Sequence, residues 1–548
     1  MRTYKLFTLL TGFLFLLNSC SDDFLYTVNP NRQTSETFWK SEKDVSAALA
    51  SAYGPLRTPI FGYFGGQFGF GDINGLGDDI FTIPGEEPAT WQIISFTNDP
   101  NNTDINEMWN LLYRSVYRSN LVIANTPNVS GLTDAQKTAY IAEAKFLRGF
   151  ANYLLVLNFG AVPLRMEPAL TTDLQYIEKS PAEDVWAAVV QDLTDAAAGL
   201  PATRSGAELG RATSGAALAY LGKAYLIQNK YDLAESTLLK LQQSPYNYGL
   251  VPNYEDNFTS LNEFNQEDVF SWVCAPVGTP GSAYTYDGAN HPFYNFLAQF
   301  IGPPLGGGWF KYVPSNFLIN EFVKEERPAG SDTRFDKRMY VTLFWKHSEF
   351  GEEDTNMGYG GSTFDEIWES GISKIARFYP TYNFDTLTVG RFLIRKFTNA
   401  WQDVANTDNV IYGGAKPESS ANYVIMRYAE VLLNLAEAQI KNGHLPEAIA
   451  NINIIRGRAG LPAKTSADLP NADAVMAEMQ HQKLLELFCE QNRWNDLRRW
   501  YPDATQLRTV YLANDKQGAA AFQAKHYLFP IPQTELNANP NITQNPLW

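Results

Sequence analysis

Two stretches far apart in the chain carry one pattern. Residues 221 to 234 (LGKAYLIQNKYDLA) align with residues 435 to 448 (LAEAQIKNGHLPEA), pairing Leu221 with Leu435, Ala224 with Ala438, Leu226 with Ile440, Tyr231 with Leu445 and Ala234 with Ala448. Large and small apolar residues therefore recur at matching places on both sides of a polar turn. A small alanine lets one helix approach its partner while a bulky neighbour fills the groove, so the pattern specifies two helix hairpins of one kind. The copies are not in tandem, and something is inserted between them. Chance similarity between two amphipathic helices is the competing reading.

Further helical periodicity surrounds the repeat. SETFWKSEKDVSAALASAYG (35 to 54) places Val45, Leu49 and Ala52 at helical spacing, with Ser35 as a cap and Gly54-Pro55 as a stop. WNLLYRSVYRSNLVIANT (109 to 126) and DAQKTAYIAEAKFLRGFANYLLVLNF (134 to 159) read as paired helices joined by a short polar loop. The expected fold class is mainly α, a scaffold of tetratricopeptide-like helix hairpins over 35–54, 109–242 and 421–500. Two segments of different texture interrupt it, 55–105 and 245–415. Both are rich in Gly and aromatics, and the second holds strand-like pieces such as Phe392 to Phe397. Long irregular insertions of this kind usually carry function. The whole of 20–548 is expected to form one domain.

The N-terminus reads as an export signal: Arg2 and Lys5 precede an apolar segment, residues 6 to 17, that is too short to span a bilayer. Leu17-Asn18-Ser19-Cys20 resembles a bacterial lipobox, which makes residues 1–19 a lipoprotein signal peptide and Cys20 the lipidated first residue. Two or more acyl chains there would give a stable membrane anchor. Ser21-Asp22-Asp23 then begins an acidic tether like those that send lipoproteins to the cell surface. With 43 Lys and Arg against 59 Asp and Glu, the net charge of −16 repels phosphate backbones and argues against nucleic-acid binding. Three cysteines cannot build a disulfide framework. Cys274 and Cys489 read as small buried hydrophobes.

Charged residues near the C-terminus invite a catalytic reading. Arg427 and Glu430 are three apart, Glu437 lies two turns further, and Glu490 and Arg493 are again three apart. Two carboxylates at glycosidase separation would make a hydrolase. Alternating Arg and Glu more commonly satisfy one another, whereas a general acid needs an unpaired carboxyl in an apolar pocket, so ion pairs locking helices are expected instead. HExxH, GxSxG and P-loop motifs are absent, and the five histidines lack ligand spacing. No cofactor is expected. Calcium is a minor alternative at Gly71 to Asp79 (GDINGLGDD), whose spacing does not fit an EF-hand.

Four blocks then carry a resemblance. MRYAEVLLNLAEAQ (426 to 439), INIIRGRAGLP (452 to 462), LLELFCEQNRWNDLRRW (484 to 500) and YLFPIPQTELNANPNITQNP (527 to 546) resemble the hallmarks of the SusD/RagB family. The lipobox, FWKSEKDVSAALASAY and WNLLYRSVYRSNLVIANT fit the same family in the same order. The resemblance implies a mainly helical, non-catalytic lipoprotein of the Bacteroidetes outer membrane, displayed at the cell surface. Such a protein captures a glycan and delivers it to a SusC-like TonB-dependent transporter. A peptide-binding or other nutrient-binding member, and less readily a surface glycosidase, are the alternatives.

A sugar ring needs flat aromatics beneath its C–H face and polar groups at its hydroxyl rim. Residues 72 to 102 offer Asp78, Asp79, Trp91 and Asn101, and residues 272 to 312 offer Trp272, Tyr284, Tyr286, Trp309 and Tyr312. Trp91 follows a Gly/Pro/Glu-rich loop, the two tyrosines lie between Gly-rich turns, and Trp309 follows the glycines at 306 to 308. For each aromatic, core packing is the competing role.

Overall fold

The computed structural model of the chain describes residues 38–57, 71–82, 88–169, 171–274, 297–303, 308–309, 311–352, 363–369, 392–398, 410–412 and 416–548. Its frame is helical. Helix α1 (Glu42–Arg57) begins later than the sequence predicts, where Ser41 and Asp44 bond across the first turn, and Ser35 lies outside the described residues. It also runs through Gly54-Pro55 instead of stopping there. Pro55 has no N–H for the Ser51 carbonyl, and Arg118 Nη1 donates to that carbonyl instead at 2.6 Å, so the break is repaired from a neighbouring helix.

After the short helix α2 (Pro88–Ile94), α3 (Thr103–Asn125) starts at Asn102, whose Oδ1 accepts from the N–H groups of Asp104 and Ile105. The next, α4 (Asp134–Phe159), starts at a capping box of Thr133 and Gln136, as its sequence specifies. It packs between α3 and α5 (Ala182–Gly199), where Arg148 grips Asp192 through two bonds of 2.7 and 2.8 Å.

The repeat forms as two hairpins. Helices α6 (Ser214–Ile227) and α7 (Tyr231–Leu238) make the first, and α8 (Tyr428–Asn442) and α9 (Leu445–Arg458) make the second. Gly443, at φ 84°, ends α8 in the left-handed conformation that glycine adopts without strain. The aligned pairs Leu221/Leu435, Ala224/Ala438, Leu226/Ile440 and Ala234/Ala448 are all buried. The two copies also pack on each other: Leu226, Ala234 and Ala438 form a cluster of their own, and Glu235 on α7 accepts from Asn442 at 2.6 Å. The insertion is long in sequence, yet it leaves the hairpins adjacent in space. Helices α10 (Ala472–Glu486), α11 (Arg493–Trp500) and α12 (Ala504–Ala513) follow.

Among the described residues strands pair only in twos, all antiparallel. Strand β1 (Ile80–Thr82) pairs with β3 (Tyr312–Pro314). Strand β2 (Asp268–Trp272) pairs with β8 (Tyr423–Arg427), β4 (Leu343–Trp345) with β5 (Phe392–Ile394), and β6 (Val410–Tyr412) with β7 (Lys416–Glu418). The predicted strand at Phe392 is thus present. One connected core, from Val45 to Ile542, joins frame and insertions.

Candidate ligand-binding face

The β1–β3 ribbon brings together the two irregular segments that the sequence marks as ligand-bearing. Its register sets Ile80 against Pro314, Phe81 against Val313 and Thr82 against Tyr312. The frame clamps one edge: Thr82 N–H donates to Gln517 Oε1 at 2.7 Å and Gln517 Nε2 returns a bond to Thr82 O at 2.8 Å. Gly71 lies so close to the Tyr312 ring that a Cβ there would be 2.1 Å from the phenol oxygen. Only glycine permits that approach.

Trp91 sits half-buried on α2, held from two sides. Asn102 Nδ2 donates to Ala89 O and Gln92 Oε1, both at 3.0 Å, and Thr90 donates to Asp104 at 2.9 Å. Asn101, the neighbour of that tie, is exposed. On the other segment Trp309 is half-buried, with Phe300 edge-on at 5.2 Å and the Lys311 ammonium 4.8 Å from its ring. Gly308 fixes its position, because a Cβ there would meet the Gly302 carbonyl at 2.0 Å. Lys311 escaped the sequence reading. Its position two residues from Trp309 in a strand-like run, which sends both side chains the same way, was the available signal.

Four of the expected contact residues belong to the interior. Asp78 is fully buried, and its carboxylate accepts from Arg493 at 2.6 and 3.0 Å and from Asn514 at 2.8 Å. Asp79 is buried beside it, and Oδ1 has no hydrogen-bond donor among the described residues. Burial, then the Asp78 charge, push its carboxyl up to about 7. Trp272 is enclosed by the rings of Tyr53, Phe150 and Phe270, and Tyr312 by the ribbon packing above. A surface ligand reaches none of the four. Tyr284, Tyr286 and Cys20 lie outside the described residues. The Gly71 to Asp79 segment, where calcium is the alternative, has Asp78 already engaged by protein donors, and no cluster of three or more His, Cys, Asp or Glu side chains among the described residues is arranged to hold a metal.

The charged blocks form an ion-pair cluster, with a difference of partners. Arg427 does not meet Glu430 along a helix, because it ends β8 and faces across the core. It contacts Glu486, Glu267 at 2.7 Å and Glu490 at 2.8 Å. Arg458 joins Glu267 and Glu486, Arg338 joins Asp336 and Glu486, and Lys396 donates to Glu490 at 2.5 Å. Four cations thus meet four carboxylates. Burial alone would raise the Glu486 carboxyl, but Arg458, Arg427 and Arg338 hold it well below the usual range. Glu430 pairs with Lys223 and Glu437 with Arg499, while Arg493 serves Asp78. None of these carboxyls stands unpaired as a general acid must.

A helical frame of repeated hairpins carrying aromatic loops defines a class of scaffolded binding proteins, and comparison places the chain within it. Residues 278–548 match the model of the SusD family, and residues 84–226 match a family described as starch-binding and associating with the outer membrane. A SusD-like protein of Formosa agariphila is 25% identical over 571 residues, spanning 100% of this chain and 99% of its own length. The starch-binding protein SusD of Bacteroides thetaiotaomicron is 25% identical over 436 residues, 76% of this chain and 74% of that one. A solved SusD superfamily structure from Bacteroides vulgatus superposes with a TM-score of 0.78 at 28% identity, covering 93% of this chain and 100% of the other. The chain belongs to the SusD/RagB family. No helix among the described residues is long and apolar enough to cross a membrane.

Proposed function

We propose that this protein is a surface lipoprotein, anchored through Cys20 to the outer membrane, that captures a glycan and passes it uncleaved to a SusC-like TonB-dependent transporter. The pairing of β1 with β3 supports this reading: it joins the two segments that the sequence marks as ligand-bearing, one leading on to the half-buried Trp91 of α2 and the other holding the half-buried Trp309 just before β3. Half-buried rings keep an edge or face for a sugar while their packing holds them still. Asn101, exposed next to the Asn102 tie to α2, is proposed to supply a polar group, and Tyr284 and Tyr286 to complete the aromatic surface. The starch-binding name of the Bacteroides thetaiotaomicron relative supports a glycan as ligand. The absence of catalysis is supported by the ion pairing of the carboxylates in the C-terminal blocks.

Protein lacking residues 1–19 is titrated with a panel of polysaccharides and of peptides, with product release followed in parallel. Retention of at least one polysaccharide without cleavage is expected. Trp91→Ala and Trp309→Ala are each expected to weaken it about tenfold, the loss of one stacking contact. Release of shortened glycan would overturn the non-catalytic reading, and affinity for peptides alone would move the protein to another ligand class.

A further inference from the structure

A second concave site lies away from the β1–β3 ribbon. A cavity of about 210 Å³ opens between the Ala202–Thr213 connection, residues 246–248 and the start of β2. Tyr246 and Tyr248 line it, and their rings begin a row that runs inward to Tyr428 behind them. The Tyr246 and Tyr248 rings lie 6.1 Å apart and 9° from parallel, and Tyr428 continues the row 5.8 Å from Tyr248 at 22°. The rings are fixed at their far ends. Tyr246 shares a hydrogen bond of 3.0 Å with Ser214, and Tyr248 reaches over Gly215, where a Cβ would lie 2.1 Å from its hydroxyl. Tyr246, the terminal ring, is only half-buried.

The lining also carries Asp268. One carboxylate oxygen accepts from Ser271 at 2.7 Å, and the other has no protein donor among the described residues. Burial pushes this carboxyl up to about 6, so it is mostly ionised at neutral pH. The two arginines in the lining bring no spare positive charge: Arg204 and Arg211 both bind Glu143, at 2.8 and 2.6 Å, and both bind Glu208. The side-chain amides of Asn247, Asn265 and Gln266 and the apolar side chains of Leu209 and Phe264 also line the cleft.

We propose that this cleft is a separate subsite for one neutral hexopyranose unit, stacked on Tyr246 with its hydroxyls donating to Asp268. The proposal rests on the glycan-binding reading above. The cavity is smaller than the roughly 300–1,000 Å³ of pockets for drug-sized ligands, and so matches about one ring and not an oligomer or a peptide. Sugar C–H groups suit the tyrosine face, and a carboxylate with a spare oxygen suits a hydroxyl donor. A uronate or sulfate would meet Asp268 with no uncompensated cation nearby.

Saturation-transfer NMR on the protein lacking residues 1–19, with glucose, galactose, mannose, glucuronate and trialanine as probes, tests this. At least one neutral hexose is expected to bind, with affinity about fivefold lower or worse in Tyr246→Ala and in Asp268→Asn, and retained in Tyr246→Phe, which keeps the ring. Neutral-hexose binding indifferent to Tyr246→Ala and Asp268→Asn would overturn the subsite, as would stronger binding of glucuronate or trialanine. If polysaccharide is retained by a route sensitive to Trp91 while no hexose responds to Tyr246, this inference fails alone. If neither polysaccharide nor hexose binds, both readings fail.

Discussion

Arg427 stands where β8 turns into α8, and three buried carboxylates depend on it. Taking charges out of water costs several kcal/mol each, and the cluster holds only because every member is matched. Arg427→Ala would leave Glu267 with Arg458, Glu486 with Arg458 and Arg338, and Glu490 with Lys396 alone. A loss of about 3–5 kcal/mol is expected in urea unfolding; a loss below about 1 kcal/mol would mean that the remaining cations suffice. Asp79 presents the opposite case, a buried acid for which burial and the Asp78 charge outweigh the attraction of Arg493 and Lys516. Its carboxyl is pushed up to about 7 in the fold from 3.8 ordinarily, so the folded state holds the proton more tightly than the unfolded chain does. The stability this group contributes is complete below its unfolded value and is lost as pH rises through about 7. Asp79→Asn, which cannot ionise, is therefore expected to gain on the parent by about 2–3 kcal/mol as pH rises from 5 to 8. Urea midpoints at the two pH values decide it, and an equal difference at both would place the effect outside ionisation.

At the scale of elements, the hairpins are where close approach matters most. Gly222 on α6 faces α7, and a Cβ there would sit 2.4 and 2.5 Å from Leu238 Cδ2 and Cγ. Leu238 is fully buried and its branch point cannot swing aside. Gly222→Val should push the helices apart and cost about 2–3 kcal/mol, read as a lowered unfolding midpoint; an unchanged midpoint would show that the hairpin has slack. This hairpin and its second copy were legible in the sequence because helix periodicity is local: apolar residues three and four apart mark a buried face wherever the chain goes. The candidate site was less so. Asp78 and Asp79 look like surface acids in a glycine-rich loop, yet Arg493 and Asn514, more than four hundred residues away, draw Asp78 inside. Trp272 and Tyr312 are interior because strands pair them with distant partners, Tyr423 and Thr82. The Tyr246–Tyr248–Tyr428 row went unseen because its third ring comes from the other side of the insertion.

For the molecule as a whole, the last residues close the frame on its central helix. Helix α4 ends at Phe159, and its final carbonyls lack partners of their own within the helix. The C-terminal segment supplies them: Phe529 N–H donates to Asn158 O at 2.7 Å, and Asn545 Nδ2 donates to Phe159 O and to Phe529 O, both at 2.8 Å. Asn545 also accepts from Lys179, and Ile531 and Ile542 beside it are part of the same core as Val45. The end of the chain is thereby as much a part of the core as the first helix, and the molecule should unfold as one unit. Asn545→Ala tests this, since it leaves two buried carbonyls short of a donor at an expected cost of about 2–3 kcal/mol. Near-ultraviolet and far-ultraviolet circular dichroism should then report one transition at a single lowered midpoint. Two separated midpoints, with the aromatic signal lost first, would show instead that the C-terminal segment can leave while the helical frame stands, and that closure follows folding of the frame without being required for it.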